Sequence, residues 1–478
     1  MSGSDSTVRR SQWPVVAMAS DLMRVLSRPR QLLVLASWLF AGAIHFVHLA
    51  YLHPVWEYYG FTLAPLGASE FFLMAALVTY GALSMPKFID SPSAVVLLML
   101  YVVVYVPAIV ITLSLDTNRL ERYLVSLLTL AIAFGVSCLA ARAKSSTPAS
   151  THLPDCRFIR AVFIGWVILC ALLIAAYLPI MTFSGLDDIY AQRAAGASTN
   201  IWMGYAQTYF GNVASPALIA LGLTKSRLRW VLVGTAGCVI IYMINAQRTI
   251  FLLPIAMIGL DRLLTSKRPL LHTTAFPMLL LAALVVWATM FNEDNVVASI
   301  LALFLVFRTL SIPGLTFSQY HDLFATEGYT WWSHIKGLDL FIPPPPLLAK
   351  DPSWPGLGYI VGDRVYSNVE NNVNANLFSG DGLAAAGPFG VIVIGLVFAM
   401  WLMALNRATR SWDARFSTLV ALPLGIALTN GHFFTTMLSF GGIFWLLVFY
   451  FYKPPSGARR RVRGAQDQAS GREAASAP

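Results

Sequence analysis

Residues 95–115 read VVLLMLYVVVYVPAIVITLSL, a run with no charged side chain. About 20 apolar residues are needed to cross a hydrocarbon core of roughly 30 Å, and buried helices of soluble proteins are usually shorter. This stretch therefore predicts a transmembrane helix. Similar runs lie at 31–52, 66–85, 122–141, 161–181, 201–223, 230–246, 249–264, 273–290, 387–406, 417–430 and 437–452. That makes about 12 spans, of which the seventh, eighth, eleventh and twelfth are the shortest. Composition agrees. Of 478 residues, 57% are apolar or aromatic and 12% charged, where soluble domains carry roughly 25% charged residues. The mean hydropathy is +0.65. Disorder, a secreted disulfide scaffold and most soluble enzymes are excluded, and the expected class is an all-α polytopic integral membrane protein.

Basic residues orient such a chain, because translocating Lys and Arg is disfavoured. With the N-terminus inside, 25 of the 33 Lys and Arg fall on the inner side, and 15 of the 23 Asp and Glu on the outer side. The inside is then about +17 and the outside about −7. The net charge of +10 is thus a topology signal and not a nucleic-acid footprint. The expected organisation is a basic cytoplasmic segment over 1–30, with no cleavable signal peptide, and spans one to nine over 31–290. A large outer loop follows over 291–386, then spans ten to twelve over 387–452. A basic cytoplasmic tail over 453–478 is read as disordered; its Arg459, Arg460 and Arg461 also suit anionic membrane lipid.

The outer loop carries the chemistry-bearing residues. It opens with the apolar stretch Val296–Leu310, interrupted by Arg308 and followed by Pro313 and Gly314. This stretch is expected to lie in or re-enter the outer interface, since a full span would put the basic tail outside. An aromatic section (Tyr320, Phe324, Tyr329, Trp331, Trp332), the tetraproline Pro343–Pro346 and the polar run Asp363–Asn376 follow. Aromatic rings beside Asn, Asp and Arg resemble a sugar-binding surface; an interfacial aromatic belt is the plainer reading. Asp187 and Asp188 are adjacent carboxylates in a second outer loop, a weak metal motif without a nucleotide-binding domain. His45, His48 and His53 are read as satisfied core residues, and Cys138, Cys156, Cys170 and Cys238 as packing residues. Arg119 and Arg122 have Asp116 and Glu121 close by in sequence to pair with. Arg193, Arg248, Arg308 and Arg364 are left as candidate anion-binding cations, because guanidinium forks bind phosphate bidentately and keep their charge.

The order of elements resembles the bacterial O-antigen polymerases, the oligosaccharide repeat-unit polymerases. The shared pattern is many spans, a medium outer loop with an arginine, an arginine at an outer turn, then one large late outer loop. In sequence the resemblance rests on Tyr190–Gly204, Asn245–Leu253, Arg308–Phe324 and Asn374–Gly390. Some members carry an arginine followed eleven positions later by glycine in both large loops. Arg193 and Gly204 fit that spacing; Arg364 does not, since position 375 is Ala375.

The resemblance implies a metal-independent polytopic C-type glycosyltransferase in the bacterial inner membrane, with both termini cytoplasmic and a periplasmic active site. The donor would be a glycan on undecaprenyl diphosphate and the acceptor one repeat unit on the same carrier, with no cofactor and a chain-length regulator protein as a candidate partner. The residues suit that chemistry. Arg193, Arg248, Arg308 and Arg364 would stand in for a metal at the departing diphosphate. Asp322, Glu370, Asp381 and His321 are candidate bases, and Tyr320, Asn374 and Asn376 candidate sugar contacts. Two alternatives remain open. An O-antigen ligase, moving the glycan to lipid A core, would share the topology and use a loop histidine such as His321 or His334. A lipid-linked oligosaccharide flippase or transporter would need intramembrane charge and an internal repeat, for which few signs exist.

Overall fold

The computed structural model describes residues 28–115, 118–142, 152–183, 185, 189–197 and 200–452. The readings of the N-terminal segment, the tail and Asp187-Asp188 lie outside the described residues. The described chain is α-helical, with no strand among the described residues beyond isolated bridges. Its helices are α1 Pro29–Tyr59, α2 Ala68–Ser84, α3 Pro92–Ser114, α4 Arg119–Arg142, α5 Cys156–Ile180, α6 Ile189–Gly196, α7 over 201–224, α8 Leu228–Asn245 and α9 Arg248–Thr265. Then come α10 Ala275–Met290, α11 Val296–Glu327, α12 Leu357–Tyr366, α13 Phe378–Ser411, α14 Ala414–Thr429, α15 Phe433–Ser439 and α16 Gly442–Phe451.

Every predicted span is helical. Seven helices (α1, α3, α4, α5, α8, α11 and α13) are long and apolar enough to cross a membrane, or eight counting the bent pair α15–α16. The helices α2, α10 and α14 are apolar but shorter. The stretch read as 296–310 is longer than expected: it is part of a single 32-residue helix, α11, whose length and composition would also suit a span. Arg308 and Pro313 do not end it, because the helix widens into a π-helical stretch over Ala302–Ser311 just before the proline.

That device recurs. π-Helical turns at His48–Leu52, Tyr101–Tyr105, Phe210–Ala214 and Ala302–Ser311 each precede a proline by two residues: Pro54, Pro107, Pro216 and Pro313. A proline lacks an N–H, and its ring clashes with the carbonyl four residues back. Widening the preceding turn moves that carbonyl away while the helix continues. Helix α13 instead breaks at Ala386 and Gly387 (φ +60°), just before Pro388.

The chain forms two compact units. One comprises 1–144, 259–403 and 424–436. At its centre α3 is almost wholly buried, and α11 lies on it at backbone contact: a Cβ at Gly314 would sit 2.8 Å from the Pro107 carbonyl. Such close approach through small residues is how helices pack where lipid supplies no hydrophobic drive. The Tyr101 and Tyr105 hydroxyls donate to the Val78 and Leu77 carbonyls at 3.2 and 2.8 Å, fixing α2 against α3. The other unit comprises 145–258, 404–423 and 437–478. There α7 and α8 pack through Gly222, Gly234 and Gly237. Phe158, Trp412, Phe416, Trp445, Phe449 and Tyr452 form an aromatic cluster.

The histidines of α1 are hydrogen-bonded as expected: His45 to Ser114 Oγ (3.1 Å), His48 to the Thr62 carbonyl (2.8 Å) and His53 to the Phe61 carbonyl (3.2 Å). Cys138, Cys170 and Cys238 are buried packing residues.

Candidate functional site

The C-terminal half of α11 brings two predicted residues together. His321 Nδ1 is 3.1 Å from Asp322 Oδ1. An ionised carboxylate only accepts hydrogen bonds, so Nδ1–H donates, and in the neutral ring that tautomer has its lone pair on Nε2. Asp322 is fixed from two further sides: Arg122 Nε lies 2.8 Å from Oδ1, and the Tyr123 hydroxyl donates to Oδ2 at 2.7 Å. The Tyr123 ring stands edge-on to the imidazole at 5.2 Å. Both His321 and Asp322 are half-buried. The described partners of the α4 arginines are tertiary ones. Arg122 reaches across to Asp322, while Arg119 is buried against Glu70 (3.7 Å) and the Ala64, Pro65 and Leu115 carbonyls. Asp116 lies outside the described residues.

Thirteen positions before His321 on the same helix, exposed Arg308 lies over the Phe307 ring at 5.6 Å. Phe307 stacks on Trp56 at 3.8 Å and meets Tyr59 edge-on at 5.4 Å; Tyr59 packs on Tyr366 at 4.4 Å. Gln319 donates to the Tyr366 hydroxyl at 2.6 Å. Burial raises the Tyr366 phenol, against the opposing effects of Gln319 and of the Arg308 charge. This layered platform is not the aromatic section expected at Tyr320, Phe324, Tyr329, Trp331 and Trp332. Its rings come from α1, α11 and α12, which spacing alone does not reveal.

Other predicted residues are placed differently. Arg364 is held by three carboxylates: Glu327 at 2.9 Å, Asp351 at 3.0 Å and Asp363 at 2.6 Å. Desolvation pulls its guanidinium down, but Glu327 and then the other acids outweigh it, and the net shift is upward. It is a structural knot of the loop, not a cation left over for phosphate. Tyr320 is fully buried, with its hydroxyl donating to the Val373 carbonyl at 2.8 Å. Asn376 is buried too, and its Oδ1 caps the backbone N–H groups of Phe378 and Ser379 at 2.9 and 3.1 Å. Both serve the framework, because a side chain without exposed surface cannot touch a sugar. Asn374 and Glu370 are exposed in the polar segment before α13.

In the second unit, Arg193 is exposed on α6, and Arg248 is the first residue of α9. Beside Arg193, Gln192 Nε2 donates to the Met243 and Ile244 carbonyls at 2.6 and 3.1 Å. This pins α6 to the end of α8, which turns at Ala246 (φ +52°) into the Arg248 segment.

One constellation escaped the sequence reading. Asp381 is fully buried, accepts from the Phe433 N–H through Oδ2, and has Oδ1 3.4 Å from His334 Nε2. The His334 and His432 rings are edge-to-face at 5.7 Å. The ligand atoms of His334, Asp381 and His432 all lie within 4.8 Å of one another. His334 Nδ1 is 2.8 Å from Thr330 Oγ1. Burial lowers the His432 imidazolium, with Asp381 opposing, so the ring favours its neutral form. Asp381 itself cannot meet a substrate directly, which corrects its expected role as a base. The preceding Trp331 and Trp332 have φ of +47° and +64°, a conformation costing about 1–3 kcal/mol per residue. They are held by Trp331 N–H to the Ala385 carbonyl (2.8 Å) and the Trp332 indole to the Asp381 carbonyl (2.9 Å). His432 carried no local signal: it lies 51 positions after Asp381, in a short turn between apolar helices. No family model, curated protein or solved structure matches the chain.

Proposed function

We propose that this chain is a polytopic glycosyltransferase of the bacterial inner membrane that joins undecaprenyl-diphosphate-linked oligosaccharide repeat units at the periplasmic face. The observation that carries this reading is the His321–Asp322 dyad on α11, held by Arg122 and Tyr123. In this reading an acceptor hydroxyl gives its proton to His321 Nε2 as its oxygen attacks the donor's anomeric carbon. The bond to the diphosphate breaks, and the lipid diphosphate leaves as an anion. Asp322 orients the imidazole and stabilises the imidazolium that forms. Arg308 supplies a cation beside the partly exposed rings of Trp56 and Tyr59, on which a pyranose can pack. Arginines carry the charge stabilisation that a divalent ion supplies elsewhere. Helix α11 is assigned to the outer interface, where His321 and Asp322 meet both lipid-borne substrates.

The test is elongation of a lipid-linked repeat unit by purified protein. His321→Ala should lower the rate by about 10²–10⁴-fold while the protein stays monodisperse in detergent. Wild-type elongation by that variant would remove the dyad from the reaction. Transfer to lipid A core without elongation would select the ligase.

A further inference from the structure

We propose that His334, Asp381 and His432 bind one divalent transition-metal ion of the Zn²⁺ class, which ties the large loop to the starts of α13 and α15. The site is separate from the His321–Asp322 dyad, and no step of sugar transfer is routed through it. Its three ligands come from three segments far apart in sequence: the turn after α11, the first turn of α13 and the residue before α15. Their ligand atoms gather within 4.8 Å, in a place where His334 and Asp381 are buried.

The spacing fits a metal better than a hydrogen bond. Zn–N and Zn–O bonds of about 2.0–2.1 Å at tetrahedral angles separate neighbouring ligand atoms by roughly 3.3 Å. His334 Nε2 and Asp381 Oδ1 are 3.4 Å apart, whereas a charge-assisted hydrogen bond is about 2.7–2.9 Å. Even the widest separation needs a closure of only about 1.5 Å to reach that edge. The outer contacts also match. A metal-bound histidine donates its other N–H to a fixed acceptor, and Thr330 Oγ1 is 2.8 Å from His334 Nδ1. Asp381 Oδ2 is taken by the Phe433 N–H, which leaves Oδ1 facing the cluster. The His432 ring lies directly against Gly380, so that a Cβ there would overlap it. Two imidazoles and one carboxylate favour a borderline transition metal over Mg²⁺ or Ca²⁺, which prefer oxygen ligands. Three protein ligands leave a fourth position for water.

The experiment is elemental analysis of the full-length protein purified in detergent without chelator, followed by titration of stripped protein with Zn²⁺ and Co²⁺. The expected result is one equivalent per chain, with the visible bands of a low-symmetry Co²⁺ site and a rise in melting temperature on reloading. His432→Gln, at the least buried ligand, should lose the metal while remaining monodisperse and helical by circular dichroism; Asp381→Asn should lose it as well. Thr330→Val should keep the site with affinity about 10- to 100-fold weaker. Failure of wild-type protein to bind either ion would overturn the proposal, leaving a hydrogen-bonded cluster. So would full stoichiometry in the double variant His334→Gln/His432→Gln. The readout is metal content, so failure of the proposed sugar transfer leaves this result standing.

Discussion

At the scale of single residues, arginines of similar appearance in the sequence separate by their partners. Arg364 meets three carboxylates within 3.0 Å, while Arg308 is exposed over the aromatic platform of Phe307, Trp56 and Tyr59. Arg308→Ala is predicted to reduce elongation by about 10²–10³-fold in protein that remains folded. Lys at this position should rescue poorly, since a point charge lacks the guanidinium fork. Elongation at the wild-type rate by the Ala variant would take Arg308 out of the site. Arg364→Ala is predicted to do the reverse: it leaves three acids without their shared cation, lowers the melting temperature and spares chemistry in the protein that remains folded. The arginine types were legible in the sequence, but their partners were not, because Glu327 is 37 positions from Arg364. The His321–Asp322 pair was legible as neighbours; the Arg122 and Tyr123 that fix it come from a helix 199 positions away for Tyr123. The metal-type cluster was not legible, because its histidines carry no local spacing.

At the scale of elements, apolar run length located helices, of which seven, or eight with the bent pair α15–α16, are long and apolar enough to span a membrane. The apolar stretch Val296–Leu310 extends past the proline that follows it: the helix widens over Ala302–Ser311 and continues to Glu327. The same accommodation before Pro54, Pro107 and Pro216 shows that a proline two residues past an apolar turn does not by itself end a helix in this chain. The packing of α11 on α3 then depends on Gly314, whose missing side chain admits the Pro107 carbonyl. Gly314→Val is predicted to destabilise the protein by about 1–3 kcal/mol through overpacking, read as a lower melting temperature in detergent. It should also displace the His321–Asp322 end of the helix and lower elongation. A variant as stable as wild type would show that the two helices pack less tightly than described.

At the scale of the whole molecule, hydropathy and charge made the helical membrane class legible, and the twelve predicted spans all correspond to helices. Orientation rests on the split of basic residues, 25 inside and 8 outside, under the positive-inside rule. Reporter fusions at Gly356 and Ser470 are predicted to report periplasm and cytoplasm; the same side for both would contradict the assignment of α11 to the interface. In the proposed reaction both substrates are carried on lipid and the diphosphate bond supplies the driving force, so neither ATP nor a nucleotide sugar is expected to be required. The most direct measurement is therefore elongation by purified, full-length protein in detergent, given only the undecaprenyl-diphosphate-linked repeat unit and no added nucleotide or divalent ion. The account predicts a ladder of longer lipid-linked glycans with release of undecaprenyl diphosphate, absent in His321→Ala. Monodisperse wild-type protein that leaves the repeat unit unextended, or extends it only when Mg²⁺ or a nucleotide sugar is added, would contradict it.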